Sequence, residues 1–123
     1  MKIFRFEPEA GKEDDQFGSL KAIIARVVQM DDEAKINAIY LQPNKSMSHQ
    51  QAMTQQLFLL VKGNGWVRSE SDKILAITEG QAMLWEKDEW HESGTENGMT
   101  AVIIETVNIQ PAELMPLLQE DEL

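Results

Sequence analysis

Short strand-like stretches, separated by turn residues, follow one another along most of the chain. Residues 35–42 alternate, with Ile36, Ala38 and Tyr40 on one face, as expected of a strand buried on one side. Residues 56–62 are apolar on both faces, which predicts a strand in the centre of its sheet. Further strands are predicted at residues 1–6 (at a sheet edge), 20–30, 66–70, 73–78, 81–86, 89–92 and 99–107.

Glycine and asparagine mark the predicted reversals between these strands. Gly63-Asn64-Gly65 and Asn97-Gly98 are residues that tolerate positive φ. Short strands at a spacing of roughly 8–12 residues predict an all-β sandwich or barrel. Residues 111–119 predict a short C-terminal helical turn, residues 7–18 a loose acidic loop and residues 120–123 a frayed tail. We expect a single domain over residues 1–123.

Composition and charge exclude several classes of partner and chemistry. The chain has 123 residues and no cysteine, which excludes disulfides, thiolate catalysis and iron–sulfur clusters. Its formal net charge of -10 repels phosphate backbones and anionic lipid, so we expect neither a nucleic-acid nor a membrane partner. The longest apolar run is residues 57–61, and the N-terminal residues lack the apolar region of a secretory signal. These observations predict a cytoplasmic protein.

The two histidines, His49 and His91, are the first candidates for a functional site. His91-Glu92 lacks the second histidine of a helical zinc-protease motif. Ser48 adjoins His49, but neighbours in a strand point to opposite faces and do not form a catalytic pair. The sequence therefore assigns no catalytic residue.

Residues 43–63 resemble the first conserved motif of the cupin superfamily, which is glycine, five residues, His-x-His, three or four residues, glutamate, six residues and glycine. The spacing is kept throughout. Pro43 stands at the first glycine, His49 and Gln51 at the two histidines, Gln56 at the glutamate and Gly63 at the closing glycine.

Residues 80–97 resemble the second cupin motif, which is glycine, five residues, Pro-x-Gly, two residues, histidine, three residues and asparagine. Gly80 and His91 match the family pattern, whereas Glu86, Asp88 and Thr95 stand at its proline, second glycine and asparagine. The chain thus resembles small single-domain bacterial cupins. The resemblance implies a double-stranded β-helix, or jelly-roll barrel.

The resemblance also implies a site at the barrel mouth. His49, Gln51, Gln56 and His91 are its ligand-binding candidates, and His49, Gln56 and His91 its metal ligands. Amide oxygens carry no charge to compensate a buried dication, so a bound Mn, Fe, Zn or Ni ion would be held weakly. Three alternatives stay open: a polar cluster without metal, a weak metal site, and a metal-free pocket for a small molecule.

Two functions follow from these alternatives. The first is a barrel that binds a small-molecule ligand, with or without a weak divalent-metal site. The second is a metal-dependent enzyme of the dioxygenase or isomerase kind that uses His49 and His91, with a carboxylate from Glu86, Glu92 or Glu105. Apart from these two functions, a purely structural oligomer is a third hypothesis.

We expect a homodimer, because small barrels leave sheet edges that need cover. We also expect His91→Ala to cost little stability, because a polar group near the mouth contributes little packing.

Overall fold

The structure, a computed structural model, describes residues 1–14, 22–70 and 73–120. This part of the chain folds into eleven β-strands and two short 3-10 helices. The strands are β1 (Lys2–Arg5), β2 (Lys12–Asp14), β3 (Ala22–Ile24), β4 (Lys35–Leu41), β5 (Lys45–Gln51), β6 (Gln55–Arg68), β7 (Ile74–Thr78), β8 (Gln81–Trp85), β9 (Trp90–Thr95), β10 (Met99–Thr106) and β11 (Leu117–Glu120), and the 3-10 helices are Pro8–Ala10 and Pro111–Glu113. None of the helices in these ranges is long and apolar enough to cross a membrane.

The strands form two antiparallel layers that share β6. The large layer has the order β11-β1-β8-β6-β10-β4. The small layer is built from β5 on β9, β9 on the second half of β6, and β7 on that same half of β6. The β2–β3 hairpin is separate from both. This arrangement is the jelly-roll barrel expected from the sequence, and its all-β class is confirmed.

Strand β6 passes from one layer to the other without reversing, so the turn predicted at residues 63–65 is wrong. Gly63 has φ of +90°, and a Cβ atom there would collide with the carbonyl oxygen of Gly98. A Cβ at Gly65 would collide with the carbonyl oxygen of Gly94. The two glycines therefore allow β6 to pass close to the chain on both sides, and a 14-residue strand pairs with both layers.

The large layer is buried on both faces, which explains the doubly apolar stretch at residues 56–62. Its inner face belongs to a core inside the barrel that includes Phe58, Leu60 and Met83. Its outer face carries a second core that includes Leu57, Leu59 and Leu84, covered by segments from the two ends of the chain. The covering side chains from outside the large layer's strands are Phe6, Val27, Val28, Met30, Ile109 and Met115.

The chain termini differ from the sequence expectations. The predicted strand at residues 1–6 forms β1, but β11 covers it, so β11 and not β1 lies at the edge of the layer. Glu120, placed in a frayed tail by the sequence, pairs with Lys2 at the end of β11; residues 121–123 lie outside the described ranges. The acidic loop 7–18 contains the first 3-10 helix and β2, while residues 15–18 lie outside the description. Of the strand predicted at residues 20–30, the described residues 22–30 contain β3 (Ala22–Ile24), and the residues after it form no regular secondary structure.

The remaining turns follow the sequence. The hairpin of β6 and β7 has Arg68 opposite Ile74, and residues 71–72 between the strands are not described. Gly98, in the turn between β9 and β10, has φ of +101°. Of the helical turn predicted at residues 111–119, the 3-10 helix at Pro111–Glu113 is present, whereas residues 117–119 belong to strand β11, so that part of the prediction is wrong. The sequence therefore predicted most of the reversals, because glycine and asparagine adopt the backbone angles that tight turns need.

Candidate functional site

A cavity of about 280 Å³ lies between the two layers of the barrel. Strands β4, β6, β8 and β10 of the large layer form one wall, and β5 and β9 of the small layer form the other. The cavity is at the small end of the usual range for ligand pockets, ~300–1,000 Å³. Its polar lining residues are Asn37, Gln50, Gln56, His91, Ser93 and Glu105, and its apolar ones are Ala38, Ile39, Met47, Phe58, Trp85 and Ile103.

Three rings in mutual contact, two stacked and one edge to face, line part of the cavity. The imidazole of His91 lies parallel to the indole of Trp85, with ring centroids 4.2 Å apart and an interplanar angle of 18°. Phe58 meets the same indole edge to face at 5.8 Å. Because His91 is 6% exposed and packed on this ring, the premise that it lies at an open mouth does not hold. We therefore expect its replacement by alanine to cost more stability than the sequence suggested.

An irregularity in β5 decides which of its side chains reach the cavity. Met47 pairs with Ser93 and Gln50 with His91, so the register shifts by one residue between them. Two residues of β5 thus stand where β9 has one, as in a β-bulge. Met47 and Gln50, three positions apart, consequently line the same cavity as their partners.

The bulge leaves Gln51 outside this lining. Its side chain is exposed, and its Nε2 donates a hydrogen bond to the backbone oxygen of Asp88 at 3.1 Å. The backbone of His49 lies within the irregular part of β5, and its side chain falls outside the described part of the structure. Of the four residues expected to converge, the structure thus brings Gln56 and His91 to one cavity.

The large layer brings one carboxylate to the cavity. Glu105 on β10 is the register partner of Gln56 on β6, and both side chains line the cavity. Side chains opposite each other on antiparallel strands have Cβ atoms ~4.5–5.5 Å apart. The other two carboxylates considered from the sequence are engaged elsewhere: Glu86 accepts a hydrogen bond from Gln55 at 2.8 Å, and Glu92 pairs with Arg68 at 3.3 Å.

The side chains that the structure describes do not form a metal-binding site. No group of three His, Asp or Glu side chains close enough to hold a metal ion is found in the described ranges. The described side chains of the cavity include the imidazole of His91 and the carboxylate of Glu105, whereas a non-haem iron site uses two histidines and a carboxylate. The amides of Gln50 and Gln56 add weak neutral donors only.

Sequence reasoning missed Gln50, Asn37 and Ser93 as lining residues. Asn37 carried a usable signal, because it alternates with Ile39 and Leu41 on the inner face of β4. Gln50 carried none, since a one-residue bulge is not visible in the hydrophobic pattern. Ser93 lies two residues after His91 on β9, so strand alternation places it on the same face.

The architecture is that of a cupin barrel, and solved structures with this fold resemble the chain. A cupin superfamily protein from Desulfitobacterium hafniense superposes with a TM-score of 0.58 at 12% identity, over 68% of this chain and 75% of that one. A cupin-like protein from Thermotoga maritima has a TM-score of 0.58 at 12% identity, over 88% of this chain and 71% of that one. A salicylate 1,2-dioxygenase from Pseudaminobacter salicylatoxidans has a TM-score of 0.55 at 10% identity, over 58% of this chain and 20% of the enzyme.

At these identities the similarity establishes the cupin fold, which agrees with the resemblance of the two sequence motifs. No family model matches the chain. No curated protein matches it either. Because one barrel carries many unrelated activities, function must be argued from the cavity itself.

Proposed function

We propose that this protein binds a small organic molecule in the cavity between its two layers. The observation that carries the proposal is the combination of polar and apolar groups in one concave space. The large layer contributes Phe58, Trp85 and Gln56 to one wall, and the small layer contributes Gln50 to the opposite wall. A concave, mostly apolar site with a few converging polar groups is the usual form of a ligand pocket.

Three of the lining groups, the side chains of Gln50, Gln56 and Trp85, support a ligand because they form no side-chain hydrogen bond in the described part of the chain. In the described part of the chain, the side-chain amides of Gln50 and Gln56 form no hydrogen bond. The indole Nε1 of Trp85 is a buried donor without a partner among the described residues. Buried polar groups are almost always hydrogen-bonded, and leaving one unsatisfied costs about 1–3 kcal/mol, a cost that applies to the buried Trp85 indole; Gln50 is exposed and Gln56 half-buried, so both are accessible to a ligand or to water. A bound molecule or solvent would satisfy these groups.

Ligand screening by NMR tests this proposal. The indole N–H signal of Trp85, assigned from a Trp85→Phe variant, should shift when a charge-balanced fragment library is added, while the signal of Trp66 should not. Ile103→Phe fills the cavity and should abolish the shift, whereas Val61→Phe, at a 45% exposed site outside the lining, should preserve it. If no fragment shifts the Trp85 signal at millimolar concentration, the binding proposal is wrong.

A metal-dependent enzyme is the second candidate, favoured by one observation. His91 and Glu105, an imidazole and a carboxylate, line the same cavity. The described residues do not complete a ligand set, so we derive no reaction step through a metal. Metal analysis of protein purified without a histidine tag separates the candidates, since stoichiometric Mn, Fe, Zn or Ni that is lost in His91→Ala would favour the enzyme. Metal content below a tenth of an equivalent would reject it.

We further propose that two copies of the chain pair along β4. This strand bonds to β10 on one side, and no described strand pairs with its other edge. On its outer face Ile36 is 60% and Tyr40 is 75% exposed. Antiparallel pairing about Ala38 would set Ile36 of one copy against Tyr40 of the other, covering both. Sedimentation of a 14.0 kDa species at micromolar concentration would reject the pairing.

The cytoplasmic location expected from the sequence stays a prediction.

A further inference from the structure

The charge of the cavity lining restricts what it can bind. Glu105 lies on the same face of β10 as Ala101 and Ile103, which belong to the inner core, so its position places the carboxylate on the cavity side. Among the described residues, the lining contains no lysine or arginine. Within the described ranges the Glu105 carboxylate forms no ion pair.

Two cations on the strands beside β10, Lys35 on β4 and Arg68 on β6, do not neutralise this carboxylate. Lys35 is the register partner of Glu105 on β4, but it is exposed and absent from the lining. Arg68 pairs with Glu92 and lies against the ring of Trp66, 5.7 Å from its centroid. The whole chain has a formal charge of -10, which adds a negative field. The cavity therefore favours cations and hydrogen-bond donors over anions.

The neighbours of Glu105 define the rest of the recognition. Gln56, opposite Glu105, presents an amide oxygen that accepts hydrogen bonds from the same donor group. In this cavity Met47 and Ile103 supply apolar surface, next to the Trp85 indole, which is stacked on His91 and 1% exposed.

We propose that the ligand is a compact organic amine or amidine with a flat apolar body, and that Glu105 selects it. Its N–H donors would meet the Glu105 carboxylate and the Gln56 amide oxygen, while its body lies between Ile103 of the large layer and Met47 of the small layer. This inference rests on the proposed binding function and adds the chemical class of the ligand. Glu105 acts here as a specificity-determining residue, in a position outside both cupin-like sequence motifs.

A matched series of probes tests the selection by charge. 2-Phenylethylamine, 2-phenylethanol and phenylacetate share a phenyl body and differ mainly in the charge of the head group. Their dissociation constants for protein treated with a chelator are measured by titrating the Trp85 indole N–H signal. We expect the amine to bind most tightly and the carboxylate least. Glu105→Gln should weaken amine binding about tenfold, the size of one charge-assisted hydrogen bond, and leave the alcohol nearly unchanged.

The control makes the same charge change elsewhere. Glu96 is exposed and lies outside this cavity, so Glu96→Gln should leave all three affinities unchanged. Glu105→Lys provides a second test, since it should reverse the order and favour phenylacetate. Phenylacetate binding as tightly as the amine to the wild-type protein would overturn the inference and leave the binding function intact. Equal loss of amine affinity in Glu105→Gln and Glu96→Gln would also overturn it, because only the net charge would then matter.

Discussion

Replacement of His91 by alanine measures how much the ring stack contributes to the barrel. The imidazole lies 4.2 Å from the Trp85 indole, nearly parallel to it, and is 6% exposed. The substitution removes this contact and opens a void beside the cavity. The structure therefore predicts a clear loss of stability, in contrast to the small effect expected when the residue is placed at an open mouth.

The size of the loss follows from two contributions. A stacked aromatic pair contributes ~0.5–1.5 kcal/mol beyond its buried area. Truncation of a buried ring adds about 1–2 kcal/mol, which is less than the value for phenylalanine because imidazole is polar. The total of about 2–3 kcal/mol is a large share of a typical folding free energy of ~5–15 kcal/mol. It corresponds to a fall in Tm of roughly 6–12 °C.

Urea denaturation with a double-mutant cycle is the appropriate assay. The free energies of unfolding of wild type, His91→Ala, Trp85→Leu and the double variant give the coupling energy of the two rings. We expect about 1 kcal/mol of coupling. His91→Phe, which keeps a ring on the indole, should recover most of the stability. A coupling energy below ~0.3 kcal/mol, or an unchanged urea midpoint in His91→Ala, would refute the reasoning.

Three further predictions concern other parts of the molecule. Gln56→Glu adds a carboxylate beside Glu105 and should raise affinity for Mn(II) or Zn(II) at least tenfold, because a carboxylate is a stronger metal ligand than an amide. Unchanged affinity in calorimetric titration would contradict a metal site in this cavity. Gly65→Ala should destabilise the barrel by about 3 kcal/mol or more in urea, because its Cβ meets the Gly94 backbone oxygen, which cannot move alone. The hydrogen bond from Arg5 holds the pKa of Glu7 below its usual 4.5. Glu7→Gln should therefore lower the free energy of unfolding above pH ~4.5, and this effect should vanish on further acidification. A difference in unfolding free energy between the two proteins that does not change with pH would argue against the ion pair.

The sequence by itself determined the class of fold and most of its reversals. Alternation in residues 35–42 predicted a strand buried on one side, and the doubly apolar run at 56–62 predicted a central strand, because side-chain direction alternates along any strand. It did not show that β6 runs straight through Gly63 and Gly65. The same glycines suit a turn or a close crossing, and only the neighbouring chains decide between them. The sequence did not predict the pairing of β11 with β1 either, because the two strands lie at opposite ends of the chain.

The candidate site divides in the same way. The motif spacing pointed to Gln56 and His91, and the structure brings both to one cavity. The exclusion of Gln51 and the inclusion of Gln50 depended on a bulge in β5, and a shift of one residue moves every later side chain to the opposite face. The choice of Glu105 over other carboxylates depended on which strands lie side by side. Local pattern fixes which residues can form a strand, whereas register and layer contacts fix which of them meet, because those contacts join residues far apart in the chain.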